Sequence, residues 1–356
     1  MSLGPAIGTR RVAVNTAIYE HGMSGSATAA GALAAALHAM PDLDVREVHP
    51  AGHRVGSSVR NAVRDARWDL WQASRAVPDV DLLVSPCNIG LRGAARRHLL
   101  VVHDVMPLER PELFDRRFRA YWRLLVPRSL RSADLVLTPS EHAAAALRRM
   151  VPSADVRVVP WPHRGGAATP ARFPEAVPTV LMVGAVEPVK NHAGGLRAVA
   201  ALRAATGADV RVRLIGPVGR AEAEVAAVLH AVDPAGRWAS REVGVPDEVL
   251  DAAYAGAWLL LQPSYDEGFG LPLVEAARHG LPVVHSGRGA MPEVLVDVDA
   301  GGPGEAQLTA AMRPLLDPAR WAAAAAATCT AAARFEPGRF DRTVAECVAE
   351  LLPAAS

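Results

Sequence analysis

One segment of the chain combines two carboxylates with a glycine-containing loop. It runs from Pro263 to Ala276 and reads PSYDEGFGLPLVEA, with Glu267 in the loop and Glu275 eight positions later. An apolar run precedes the segment, and Pro272 is typical of the first turn of a helix. The glycines let backbone N–H groups approach a ligand, and a helix N-terminus favours an anion there. Both carboxylates can therefore face one bound molecule, and carboxylates that accept pairs of hydrogen bonds suit the adjacent hydroxyls of a sugar.

A lone lysine marks a second candidate loop. The segment Val183–Asn191, VGAVEPVKN, follows an apolar run, and its Lys190 is the only lysine in the sequence. A surface lysine before a helix is the ordinary interpretation of such a position. However, every other basic side chain apart from the histidines is arginine. A single lysine in this composition indicates a functional point charge, which the compact ammonium group supplies.

The first half of the chain holds two further candidates. Residues 21–26, HGMSGS, connect the first predicted strand to its helix, where Rossmann-like folds place phosphate-binding glycines, and Gly25 is the candidate there. A purely structural turn is the alternative for this glycine. His103 ends a predicted strand within Val101–Glu112, VVHDVMPLERPE, and a structural histidine is the alternative to a site residue.

Arginines alternate with large apolar residues in one predicted helix. The arginines are Arg116, Arg117, Arg119, Arg123, Arg128 and Arg131. This pattern is typical of a basic amphipathic helix that touches anionic lipid or an acidic acceptor. A helix that packs through its apolar stripe and solvates its arginines fits the same pattern. Acidic neighbours, among them Asp115 and Asp134, dilute the positive charge.

Short apolar runs alternate with longer helical patterns, which indicates parallel strands joined by crossover helices. The predicted strands are Val12–Asn15, Asp81–Ser85, Leu99–His103, Leu135–Pro139, Thr179–Val183, Val210–Ile215, Trp258–Gln262 and Pro282–His285. The predicted helices are Ser26–Met40, Arg116–Ser132, Glu141–Met150, Ala193–Thr206, Arg220–Val232, Asp247–Ala255, Pro272–His279 and the alanine-rich stretch Trp321–Leu352, broken near Pro337. Every candidate loop described above follows one of these strands.

The length of 356 residues exceeds what one hydrophobic core usually supports, so we expect two domains. Proline and glycine crowd between Pro160 and Pro178, which predicts a linker. We therefore expect one α/β domain over residues 1–163, a second over 164–336, and a terminal helix over 337–356 that packs back on the first. Two such domains would face a common cleft at the carboxyl ends of their strands, where open α/β sheets bind ligands.

Composition narrows the class of protein. The formal net charge is +1, so no global field recruits nucleic acid. The three cysteines, Cys87, Cys329 and Cys347, fit neither a disulfide framework nor a zinc site. No run reaches the roughly 20 apolar residues that span a bilayer, and the first strand is not preceded by a signal-peptide pattern. We expect a cytoplasmic protein, and a weak peripheral contact with the inner face of the membrane stays open.

The motifs together resemble one large family, the retaining glycosyltransferases with the GT-B fold and an E-x7-E motif. These are the glycosyl transferases of group 1, or family 4 type, and include mannosyltransferases. Pro263–Ala276 is similar to their EGFGLP segment, Val183–Asn191 to their VGRLEPRKN loop, and Thr138–Glu141 to their TxSE element. His103 and Asp104 are similar to the family's HD pair. The resemblance runs from about Arg11 to Leu352 and implies two facing Rossmann-like domains.

The resemblance also implies a role for each candidate. It assigns donor binding to Gly25, Gly184, Lys190, Val243, Gly244, Glu267, Gly268, Phe269, Gly270, Leu271 and Glu275. It assigns catalysis to Glu267, Lys190 and His103. In the family the first Glu holds hydroxyls of the donor sugar, the second holds the nucleotide ribose, and the lysine meets the diphosphate. Ala185 stands where the family often has a second cation, arginine.

The implied activity is transfer of a hexosyl unit from a nucleotide-diphosphate sugar to an acceptor, which is a saccharide, a lipid-linked saccharide or a natural product. The family retains the anomeric configuration, and the departing diphosphate would take the acceptor's proton. We expect no cofactor and no metal, since the DxD-like letters of Asp79–Asp81 precede a strand. The alternatives are a nucleotide-sugar epimerase, a phosphorylase, and a catalytically silent nucleotide-sugar-binding subunit.

Overall fold

The computed structural model describes residues 9–17, 25–50, 64, 67–68, 79–90, 92–93, 95–174, 177–295 and 298–353. The chain divides into two compact units. Unit 1 comprises Met1–Pro162 and Pro337–Ser356, and unit 2 comprises His163–Glu336. Within the described residues, no helix has the length and apolar character needed to cross a bilayer.

Unit 1 contains one parallel sheet of six strands in the order β2-β1-β3-β4-β5-β6. Its strands are β1 (Arg10–Asn15), β2 (Leu43–Val48), β3 (Leu82–Ser85), β4 (Arg97–Val101), β5 (Leu135–Thr138) and β6 (Val156–Val158). Its helices are α1 (Gly25–His38), α2 (Met106–Glu109), α3 (Arg116–Ser132), α4 (Glu141–Met150) and, from the end of the chain, α12 (Pro337–Leu351). Helix α12 packs against α1.

Unit 2 repeats this architecture with the order β12-β11-β10-β7-β8-β9, again all parallel. Its strands are β7 (Thr179–Val183), β8 (Arg211–Ile215), β9 (Ala239–Glu242), β10 (Leu259–Gln262), β11 (Val283–His285) and β12 (Val298–Asp299). Its helices are α5 (His192–Thr206), α6 (Glu222–Val232), α7 (Asp247–Gly256), α8 (Leu271–Arg278), α9 (Met291–Val294), α10 (Glu305–Met312) and α11 (Pro318–Ala331). Apolar side chains from β7, β8, β10 and α5 form its main core.

Most predicted elements are confirmed, two of the helices with the predicted bounds, Arg116–Ser132 and Glu141–Met150. The strand predicted to end at His103 instead ends at Val101, so the histidine lies two residues into the following loop. Four strands were not predicted, and they are the four edges of the two sheets: β2, β6, β9 and β12. These four edge strands are only partly buried, so their sequences lack the continuous apolar run that marks an inner parallel strand.

The strand order of unit 2 fixes where its loops diverge. After β7 the chain builds β8 and β9 on one side, and it then returns to place β10 on the other side of β7. The carboxyl ends of β7 and β10 therefore form the topological switch point, where open α/β sheets bind ligands. The loop after β7 carries Lys190 and the loop after β10 carries Glu267. In unit 1 the corresponding switch point lies between β1 and β3.

Candidate functional site

The two loops at the switch point of unit 2 are tied together by hydrogen bonds. The loop after β7 ends in a 3-10 turn, Pro188–Lys190, and in Asn191, which adopts a left-handed backbone with φ of 51°. The Asn191 side-chain amide donates to the backbone carbonyl of Pro263 at 3.0 Å, and the Tyr265 N–H donates to the carbonyl of Val189 at 2.8 Å. The chain thereby holds Lys190 against the loop that follows β10.

Lys190 and Glu267 form an ion pair at this point. The Lys190 ammonium Nζ lies 2.7 Å from Glu267 Oε1 and 2.9 Å from Oε2. The Glu267 side chain is buried at 5% exposure, whereas that of Lys190 keeps 21%. A buried carboxylate needs a charged or hydrogen-bonding partner, because desolvation of an isolated charge is strongly unfavourable. The predicted sugar-binding carboxylate and the predicted phosphate-binding cation are therefore neighbours.

Two further side chains hold Glu267 that the sequence interpretation missed. The Gln262 side-chain amide donates to Glu267 Oε1 at 2.6 Å, and the Ser264 hydroxyl donates to the same oxygen at 2.7 Å. Both side chains are buried. Within the described residues, Oε1 thus accepts three hydrogen bonds and Oε2 only that of Lys190. One signal was present in the sequence, since Gln262 is the only polar residue of β10.

The backbone of the loop depends on glycine at two positions. Gly270 precedes α8 with φ of 92°, a left-handed conformation that favours glycine. A Cβ on Gly289 would lie 2.4 Å from the carbonyl oxygen of Glu267, so the neighbouring loop approaches Glu267 too closely for any side chain there. The Phe269 ring is buried and packs edge-on against Phe335 at 6.0 Å between ring centroids. The Phe269 ring is therefore occupied by packing, and Gly268, Gly270 and Leu271 flank it in the same loop.

Glu275 lies in the second turn of α8 and has a different partner. Its Oε1 accepts hydrogen bonds from the backbone N–H and from Nε of Arg164, both at 3.2 Å. Burial raises the pKa of the Glu275 carboxyl, and the charge and hydrogen bonds of Arg164 oppose that rise. Nothing in the sequence predicted this contact, because Arg164 stands in the irregular segment and is separated from Glu275 by 111 positions.

Two of the predicted donor-binding residues, Val243 and Gly244, lie at the end of an edge strand. Val243 and Gly244 follow β9 directly, and the Val243 side chain is 53% exposed. Gly244 has φ of 66° and open space where a Cβ would stand. Gly184 follows β7 with φ of 143°, and its missing Cβ would be 3.9 Å from the Lys190 side chain. Hence Gly184 lies beside Lys190. Val243 and Gly244 also lie at the carboxyl ends of the strands, two strands away from β7.

In unit 1, His103 is a buried loop residue held by two hydrogen bonds and a ring contact. Its Nε2 lies 2.8 Å from the carbonyl oxygen of Pro86, and its backbone N–H donates to the Asn88 side chain at 2.8 Å. The ring packs on Trp161 with 5.4 Å between centroids. Burial lowers the pKa of His103 to about 4, so the imidazole is neutral at pH 7. Since a carbonyl only accepts, Nε2 carries the proton and Nδ1 carries the lone pair.

The remaining predicted residues of unit 1 are less constrained. Gly25 is the exposed first residue of α1. The residues that precede it in the predicted phosphate loop, positions 21–24, lie outside the described part of the chain. In the TxSE element, the Ser140 hydroxyl caps α4 by accepting from the Ala143 N–H at 3.1 Å. That serine therefore has a structural function in starting a helix.

Comparison with known proteins identifies the family. Residues 177–330 match the model of the glycosyl transferases group 1, and residues 25–162 match that of glycosyltransferase family 4. The chain belongs to the group 1 and family 4 glycosyltransferases. Its units therefore correspond to two recognised domains of this family, and the loops at the switch point of unit 2 lie within the group 1 domain.

Several relatives of this family member are mannosyltransferases. The chain is 30% identical to O-antigen chain mannosyltransferase B of Escherichia coli over 222 residues. This match covers 59% of this chain and 58% of that protein. It is 33% identical to the MMP alpha-(1->4)-mannosyltransferase of Mycolicibacterium hassiacum over 161 residues. This second match covers 40% of this chain and 34% of that protein. The matched regions thus span less than two thirds of these relatives.

Solved structures show the same fold. Sucrose-phosphate synthase from Thermosynechococcus elongatus matches with a TM-score of 0.74 and 16% identity, over 97% of this chain and 100% of the other. HepE from Anabaena, solved with UDP and glucose, matches with a TM-score of 0.68 and 15% identity, over 96% of this chain and 100% of the other. At this level of identity the likeness establishes the GT-B fold class, which confirms the predicted one.

Proposed function

We propose that this protein transfers a hexosyl unit from a nucleotide-diphosphate sugar to an acceptor hydroxyl with retention of configuration. The observation that carries the proposal is the Lys190–Glu267 pair at the switch point of unit 2, with Glu267 Oε1 anchored by Gln262 and Ser264. The anchored carboxylate presents Oε2 to hydroxyls of the donor sugar. The relatives named above are mannosyltransferases, so GDP-mannose is the first donor to test, followed by UDP-glucose.

In the proposed step, the acceptor oxygen forms a bond to the anomeric carbon while the bond from that carbon to the diphosphate oxygen breaks. The acceptor's proton passes to the departing diphosphate, so no protein carboxylate needs to act as a nucleophile. Lys190 neutralises charge that develops on the diphosphate, together with backbone N–H groups at the start of α8. Because Lys190 supplies the cation, the proposal includes no metal ion. Activity that EDTA leaves unchanged would support this part of it.

The two carboxylates make the proposal testable, because they are assigned to different parts of the donor. We expect Glu275→Ala to weaken binding of the free nucleotide, and Glu267→Ala to lower turnover with little change in nucleotide affinity. Each charged hydrogen bond lost is expected to cost about 1.5–3 kcal/mol. Calorimetry with UDP and GDP measures the first effect, and initial rates with the full donor measure the second. Equally small effects of both substitutions would contradict the donor-site assignment.

The same assays separate the alternatives. Conversion of the donor without any acceptor indicates an epimerase, and a requirement for inorganic phosphate indicates a phosphorylase. Nucleotide binding without any transfer indicates a binding subunit, the alternative that Ala185 at the family's arginine position keeps open. The acceptor classes to test are saccharides, lipid-linked saccharides and natural products with free hydroxyls.

Helix α3 motivates a proposal of weak contact with an anionic membrane. Its apolar stripe, which includes Trp122 and Leu130, is buried, but Phe118 and Leu124 remain 38% and 52% exposed beside its arginines. Within the described residues, no arginine of α3 is paired with a carboxylate. Cosedimentation with vesicles containing phosphatidylserine should therefore show weak binding that is lost in high salt, since each basic residue adds at most about 1 kcal/mol.

A matched pair of variants tests this contact. Arg116→Gln/Arg117→Gln removes two exposed arginines of α3 and should abolish cosedimentation. Arg339→Gln/Arg342→Gln removes two exposed arginines of α12, the same charge from the same unit, and should not. Absence of vesicle binding at low salt, or equal losses from both pairs, would contradict the proposal. The apolar stripe of α3 would then serve only for packing, and its arginines would be exposed to solvent alone.

A further inference from the structure

Arg164 connects three segments of unit 2 around Glu275. Its backbone N–H and Nε both donate to Glu275 Oε1 of α8, and Nη1 lies 3.3 Å from Asp247 Oδ1 in the first turn of α7. The Arg164 side chain is 43% exposed, whereas that of Glu275 is 9% exposed. A partly exposed arginine thus reaches inward to a buried carboxylate and is itself held by a second one.

The hydrogen bonds on Glu275 are distributed unevenly. A carboxylate oxygen has two lone-pair sites, and Arg164 fills both sites of Oε1. Within the described residues, Oε2 accepts no hydrogen bond, and Arg278 Nε lies 3.8 Å from it. Arg164 therefore fixes the rotation of the carboxylate while it leaves Oε2 as the oxygen that can accept from a ligand.

We infer that Arg164 is a positioning residue, which holds Glu275 ionised and oriented so that Oε2 receives a hydroxyl of the nucleotide ribose. This inference rests on the proposed function, since the ribose is the ligand assigned there to Glu275. Arg164 need not contact the nucleotide, and its effect is transmitted through the carboxylate alone.

The electrostatic surroundings give this role a pH signature. Burial raises the pKa of Glu275, Arg164 opposes the rise, and Asp247 adds to it. Tyr254 of α7 has its own pKa raised, mainly by burial and then by Glu275, and so does not titrate near neutrality. The other charged or titratable neighbours are Arg278 at the end of α8, His279 directly after that helix, and Asp251 on α7, which contacts both. His163 adjoins Arg164 and faces Arg278 and His279, and burial lowers its pKa.

Without Arg164 the pKa of Glu275 should rise further, because its main opposing cation is gone. Protonation reduces the capacity of the carboxyl group to accept hydrogen bonds, so it weakens the binding of the ribose hydroxyl. Each unit of additional pKa shift changes the ionised fraction by up to about tenfold at pH values below the pKa. Loss of Arg164 should therefore make nucleotide binding steeply pH-dependent.

The experiment titrates UDP and GDP by calorimetry between pH 6 and 8 into the intact protein and its variants. We expect Arg164→Gln to bind the same nucleotide as the unmodified protein, but with lower affinity at low pH. The factor by which the substitution weakens binding should be about tenfold larger at pH 6 than at pH 8. Arg164→Lys keeps the positive charge but lacks the several N–H donors of the guanidinium group. It should therefore recover most of the pH profile of the unmodified protein, but less of its nucleotide affinity. Arg211→Gln is the control, since Arg211 is an exposed arginine of unit 2 at the opposite, amino-terminal end of β8.

The outcomes separate this inference from the proposed function. If neither nucleotide binds the unmodified protein, both fail. If nucleotide binds and Arg164→Gln weakens it equally at every pH, or not at all, the positioning role is overturned while the donor site stands. Tighter binding by Arg164→Gln would also overturn it, because Arg164 would then obstruct Glu275. A thermal midpoint within 2 °C of the unmodified protein excludes a general loss of structure as the cause of the expected profile.

Discussion

Replacement of Lys190 by alanine is expected to lower turnover by about 10²–10³-fold, the effect of removing one preorganised group that stabilises developing negative charge. The same substitution is expected to destabilise unit 2 by about 3 kcal/mol, because it leaves the Glu267 carboxylate buried without its cation. We choose the lower end of the range for broken buried pairs, since the Lys190 side chain keeps 21% exposure. Initial rates with the full donor and thermal unfolding measure the two effects independently.

A second substitution separates stability from catalysis. In Lys190→Met/Glu267→Gln both charges are removed, and the glutamine side chain can still bond to Gln262 and Ser264. The unfolding temperature should then recover toward that of the unmodified protein, while turnover should stay low. An alanine variant that unfolds at the original temperature would argue against the ion pair, and one that turns over normally would remove Lys190 from the catalytic residues.

Replacement of His103 by alanine is expected to lower turnover on the order of 10²-fold, if the imidazole lines the transition state as the family resemblance implies. The affinity for free nucleoside diphosphate should barely change. From its predicted position at a strand end, the imidazole is expected to donate a hydrogen bond to the donor sugar, and the structure corrects this expectation. Its only N–H is already directed at the Pro86 carbonyl, and the neutral ring can offer only Nδ1, which accepts a hydrogen bond from a hydroxyl.

His98 provides the matched control for this substitution. It is also buried in unit 1, burial lowers its pKa to about 4, and its Nε2 lies 3.0 Å from the Ser85 hydroxyl. His98→Ala therefore removes an equally buried imidazole from β4 that has no assigned catalytic role. If both alanine variants lower turnover equally, the effect of His103 is one of packing. Normal turnover in His103→Ala would reduce the catalytic residues to Lys190 and Glu267.

The fold and the central loop of the site could be predicted from sequence because their signals are local. Inner parallel strands such as β7 and β10 are mostly continuous apolar runs. The glycines of the loop after β10 indicate backbone conformations that other residues rarely adopt. The edge strand β9, with the sequence ASRE, carries no such run, since it pairs with another strand on one side only. Its existence depends on pairing with β8, which only the three-dimensional structure reveals.

The surroundings of the two glutamates could be predicted only in part. Gln262 and Ser264 stand within five positions of Glu267, and a polar residue at the end of an apolar strand was a usable signal. Arg164 gives no comparable signal, because its contact with Glu275 joins an irregular segment to a helix far along the chain. Long-range polar contacts depend on side-chain geometry, and the periodicity of apolar residues carries no information about them.

The ion pair at the switch point has a practical consequence for spectroscopy. Because Lys190 is the only lysine, protein produced with ¹⁵N-labelled lysine carries a single side-chain ammonium resonance. That resonance originates 2.7 Å from Glu267, so its chemical shift and proton exchange report directly on this contact. Titration with a donor would be followed at one signal, without assignment of the spectrum and without a substitution that disturbs the site.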